Sequence, residues 1–206
     1  LGGGGGASGH AASGGGGSGG LVYDARAQLS PGSYTVTVGD GGGRGPNHST
    51  SYNGNASSVS GNGTTWTGAR GGKSGAYSAG TPGGSGGGHA GYPPGNRGSD
   101  YSNAPYGSDT TQYAQGNPTS SLNFGNRGGG CFGPTHHAGG GGGGLGADGR
   151  FAPSPTLGGR GGPGIKFKGF MGPLIGLPGL GNSGGFGGGG GAGAWNNENG
   201  APGGED

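Results

Sequence analysis

Between residues 21 and 38 the chain shows the clearest order of apolar and polar positions. Tyr34, Val36 and Val38 alternate with Thr35 and Thr37, the period of a strand with two unlike faces. Leu21-Val22-Tyr23 has the same strand composition. Leu29-Ser30-Pro31-Gly32 lies between them, with Pro and Gly at the central positions of a type II turn. The pattern predicts a small β-hairpin over 21–38. The most apolar stretch is 165–180, with Ile165, Phe167, Phe170, Met171, Leu174, Ile175, Leu177 and Leu180. Gly169, Gly172, Pro173, Gly176, Pro178 and Gly179 interrupt it, so no helix is expected there. These apolar residues are expected to cover a flank of the molecule or to form an interface between copies.

The rest of the chain carries neither period. Of 206 residues, 70 are Gly, with 25% hydrophobic and 9% charged. An ordinary domain holds roughly 7% Gly and about twice as much apolar material. Clusters of Leu, Ile and Phe cannot stabilise this chain, and glycine loses the most backbone entropy on ordering. Either the chain is disordered or its order comes from main-chain hydrogen bonds, and the second is the expectation. Glycine disfavours the α-helix by about 1 kcal/mol per residue and weakens long strands. The three-residue-per-turn extended helix remains: its N–H and C=O groups point outward, and bare neighbours can approach closely. Gly tracts recur at 83–88, 128–130, 139–144, 158–164, 184–185 and 187–191, separated by loops. The expected fold is mostly irregular and extended: a polyproline-II/polyglycine-II helix bundle with one small hairpin and little or no α-helix. Collagen is excluded, because Gly does not recur at every third residue and only 14 residues are Pro. Residues 1–206 are expected to form one glycine-rich domain, belonging to a longer chain or an assembly.

Net charge narrows the partners. At +2 it gives no electrostatic case for nucleic acid. No apolar run approaches the roughly 18 residues of a membrane-spanning helix. One cysteine, Cys131, excludes an intrachain disulfide.

Three N-glycosylation sequons, at Asn47, Asn55 and Asn62, fall in an Asn/Ser/Thr-rich stretch where chance also produces them. Arg70, Arg127 and Arg160 each precede Gly-Gly. Three such units far apart do not make an RNA-binding segment, and their side chains are expected outside a glycine helix. His136-His137 beside Cys131 fits no zinc spacing, so no metal is expected. No paired carboxylates, nucleophile elbow or phosphate loop occurs, so neither enzymatic activity nor a cofactor is expected. Tyr77, Tyr92, Tyr101, Tyr106 and Tyr113 populate the loop-rich middle. Their rings suit either capping of glycine helices or recognition of a receptor or glycan.

The tract 14–17, the string Leu29 to Gly42 (LSPGSYTVTVGDGG) and the later Gly tracts together resemble the glycine-rich domains of phage tail-fibre and adhesin proteins, and of large surface proteins of aquatic microbes. The resemblance covers most of 2–164, with 165–180 departing from it. It implies a sandwich of polyglycine-II helices at an extracellular surface, filament or virion, with contacts made by loops. The leading expectation is a structural component of such a filament or tail fibre, with itself as partner. A receptor- or glycan-binding adhesin module is the alternative. An ice-binding protein is the second, disfavoured by the irregular spacing of Thr.

Overall fold

The computed structural model describes residues 1–7, 12–22, 28–45, 51–68, 70–75, 80–90, 125–131, 138–166, 185–194 and 200–204. Among them there is no α-helix. The regular strands are β1 (Thr35–Thr37), β2 (Ser57–Gly61), β3 (Thr64–Gly68), β4 (Ile165–Lys166) and β5 (Gly185–Phe186).

Glycine tracts make up most of the remainder, and their hydrogen bonds follow a period of three. Within 139–144 every N–H donates to another segment, at 2.8–3.0 Å. Gly139 and Gly142 donate to the carbonyls of Gly193 and Gly190, Gly140 and Gly143 to His89 and Gly86, and Gly141 and Gly144 to Arg150 and Ala147. Residues three apart thus address the same neighbour, which is the signature of a threefold extended helix. The carbonyls serve three more segments. Gly139 and Gly142 accept from Gly159 and Gly162; Gly140 and Gly143 accept from Gly15 and Ser18. Gly141 accepts from the Gly129 N–H, and Gly144 from the Asn126 side-chain amide at 2.8 Å. Six neighbours around one rod is the coordination of a hexagonal array. The expected polyglycine-II bundle is therefore the architecture, with 139–144 at its centre.

Chain direction is mixed. The pairs Gly15–Gly140 and Ser18–Gly143 rise together in number, so these tracts run parallel. Gly140–His89 and Gly143–Gly86 run antiparallel.

This spacing works only without side chains. A Cβ on Gly141 would overlap the carbonyl oxygen of Arg160, and one on Gly142 the carbonyl oxygen of Gly16. Left-handed backbone is not the reason, since the only described glycines with positive φ are Gly63 and Gly187. The fully buried side chains are accordingly small. Ala12, Ala90 and Ala138 are fully buried, and Ser85 is the largest side chain at that depth. Ser85 Oγ lies 2.9 Å from Ser18 Oγ and donates to the Gly144 carbonyl at 3.1 Å, so its polarity is matched. No greasy centre exists among the described residues; main-chain pairing takes its place.

At one margin of the bundle the order β1-β2-β3 forms an antiparallel sheet, with Val36 opposite Val59 and Val59 opposite Trp66. The expected strand 34–38 is present as β1, but its partner is β2 and not Leu21-Val22-Tyr23. Leu21 and Val22 are in no strand, and Tyr23 lies outside the described residues. The hairpin proper joins β2 to β3 through Asn62 (φ 47°) and Gly63 (φ 77°), the paired left-handed conformation of a type I′ turn. Pro31-Gly32 forms a bend rather than the expected type II turn, because Gly32 is not at positive φ. The Tyr34 hydroxyl donates to the Ser30 carbonyl at 2.9 Å and closes that bend. A second, two-residue ladder pairs Ile165 with Phe186 and Lys166 with Gly185.

Candidate functional site

Two of the concave surfaces on the bundle's exterior are lined by described residues. The first lies against the apolar row of the sheet. Val36, Val59 and Trp66 share one face and, with Leu1, Val22 and Val38, border a cavity of about 270 Å³. Val36 and Val38 remain largely exposed.

The second is larger, about 540 Å³, and combines charge with apolar walls: Arg150, Phe151, Pro153, Leu157 and Arg160, closed by Ala201 and Pro202. The lattice assembles it. The Arg150 N–H donates to the Arg160 carbonyl at 2.8 Å, which sets two arginine-bearing rods side by side. The 200–204 segment is held next to them by the Ala201 N–H on the Ala192 carbonyl and the Gly161 N–H on the Pro202 carbonyl, at 2.8 and 3.2 Å. A tight loop forms the outer wall: Pro153 and Pro155 restrict φ, and the Leu157 N–H turns back to the Ser154 carbonyl. Phe151 and Leu157 are exposed, as are Arg150 and Arg160 beside them.

The residues singled out from the sequence are distributed as follows. Asn55 is exposed, with its main chain in the bundle: its carbonyl accepts from Gly3 and its N–H donates to Asp40. Asn62 is exposed at the hairpin tip, but Nδ2, the atom a glycan would occupy, donates to the Tyr34 hydroxyl at 3.1 Å. Asn47 lies outside the described residues, as do Tyr77, Tyr92, Tyr101, Tyr106 and Tyr113. Of the apolar stretch only Ile165 is described, in β4; Phe167, Phe170, Met171, Leu174, Ile175, Leu177 and Leu180 are outside. Arg70, Arg127 and Arg160 are exposed while their carbonyls accept from Gly84, Gly149 and Arg150. That is the placement expected of arginines on the outside of a glycine helix.

Cys131 is buried, and burial pushes its thiol above the ordinary value while a backbone hydrogen bond pulls weakly the other way. A raised thiol pKa disfavours nucleophilic or metal-binding thiolate. No cluster of three His, Cys, Asp or Glu suited to a metal occurs among the described residues. No described helix is long and apolar enough to cross a membrane.

A hexagonal lattice of glycine rods carrying loops and shallow grooves defines a class: glycine-rich domains ordered through the main chain. Residues 1–205 match the family model for the glycine-rich domain, and the chain belongs to that family. The match runs through 165–180, which the narrower resemblance had left aside. No curated protein and no solved structure matches the chain.

Proposed function

We propose that this chain is a non-enzymatic structural module of an extracellular filament or viral tail fibre, working by association with further copies of itself. The supporting observation is the six-neighbour lattice, which confers stiffness without a core. A rod array of this kind has no intrinsic boundary. Its outermost members present the same outward-pointing N–H and C=O groups that bind the inner ones.

The chain offers such a margin. Residues 35–38, with the whole of β1, are exposed, and the adjoining glycine tract continues with Asp40, Gly41 and Gly43 exposed. No lysine or proline blunts β1, although edge strands are commonly protected that way. The test is light scattering after size exclusion, with negative-stain imaging of the purified chain. Wild type is expected to give oligomers or filaments, and Val36→Lys with Val38→Lys to return it to monomer. A monomer at every concentration up to the solubility limit overturns the proposal.

A further inference from the structure

We propose that the groove between Arg150 and Arg160 is a recognition site for an acidic peptide segment, one that presents an apolar side chain flanked by carboxylates. The cavity of about 540 Å³ has room for one large side chain and its flanking backbone. Its walls are Phe151, Pro153, Leu157 and Pro202, so the part of the ligand that enters is apolar. Arg150 and Arg160 both line the groove as exposed residues, on adjacent rods joined by the Arg150–Arg160 main-chain hydrogen bond. Guanidinium forks match carboxylates in geometry as well as charge.

The composition of the walls also decides against a sugar. The protons of a pyranose's hydroxyls need acceptors, and among the described residues no hydroxyl, amide or carboxylate side chain lines the groove. An extended peptide satisfies itself with two carboxylates at the rim and one apolar anchor. Preorganisation favours such binding: the Pro-containing loop and the lattice hold the site before the ligand arrives. None of the residues that line it belongs to the exposed margin at 35–43.

The experiment titrates the isotope-labelled full chain with three blocked tripeptides, Glu-Leu-Asp, Gln-Leu-Asn and Lys-Leu-Lys, and follows amide shifts. The acidic peptide is expected to move Phe151, Gly158 and Ala201, and the neutral one to bind at least about fivefold more weakly. Arg150→Glu with Arg160→Glu is expected to reverse the preference towards Lys-Leu-Lys. Phe151→Ala is expected to abolish the response to all three. The Gly141 amide, which donates to the Arg150 carbonyl, reports whether the lattice survives. Should the double reversal disturb it, Arg150→Gln and Arg160→Gln singly are expected to weaken the acidic peptide several-fold. Equal response to acidic and neutral peptides overturns the proposal. So do shifts confined to other surfaces, or displacement of the acidic peptide by glucuronate at equal concentration.

Discussion

A methyl group at Gly141 would collide with main chain, not with a side chain that could swing aside. Gly141→Ala is therefore expected to cost about 3 kcal/mol or more, since rods on both sides must separate. Gly43, at the margin, has nothing within 4 Å of its missing Cβ and is not at positive φ. Gly43→Ala is expected to stabilise by about 0.4–1 kcal/mol through the unfolded chain alone. Denaturant midpoints of the two variants separate these outcomes. Ser85 makes the complementary point: Ser85→Ala strips a partner from Ser18 Oγ and is expected to cost about 1–3 kcal/mol in spite of relieving no clash. Cys131 adds a pH dependence. Its native pKa is raised by burial, so the unfolded chain loses the thiol proton first. Stability is expected to be level below the ordinary thiol value and to fall as pH rises above it towards the native value. In Cys131→Ala that slope disappears from an alkaline denaturation series.

The hairpin β2–β3 shows how far single elements could be read from their residues. Strand 34–38 declared itself by alternation. Its partner did not, because Ser57-Ser58-Val59-Ser60-Gly61 carries one β-branched apolar residue among small polar ones. The Asn62-Gly63 pair is a strong type I′ signal, yet the same residues also form a sequon, and the glycan reading obscured the turn. Gly63→Val should expose the difference. A β-branched residue at φ 77° is expected to cost about 1–2 kcal/mol and to weaken the pairing of Val59 with Trp66, with cross-strand NMR contacts as the readout. For the rods, composition revealed their nature but not their neighbours. Every tract offers the same groups, so nothing local says that 139–144 belongs at the centre. The groove was illegible for the same reason. Arg160 stood out only as one Arg-Gly-Gly unit and Arg150 not at all, since what joins them is a main-chain bond between separate rods.

At the level of the molecule, the material removed from water is mostly peptide rather than hydrocarbon. Apolar exposure raises the heat capacity of unfolding and polar exposure lowers it. Calorimetry is expected to give a value per residue well below the ordinary ~12–15 cal/mol/K. The stability curve is correspondingly flat, and strength is retained on cooling. A value in the ordinary range would mean that a hydrocarbon core contributes far more than the buried alanines and Leu145 suggest. The mixed direction of neighbouring rods carries a separate consequence for ancestry. Because an array of this kind accepts a strand of chain running either way, a connection can leave from whichever end it reaches. Lengthening, shortening or replacing a connection then leaves the rods undisturbed. Lineages of such proteins are free to diversify rapidly in what they display while the glycine framework behind it stays the same.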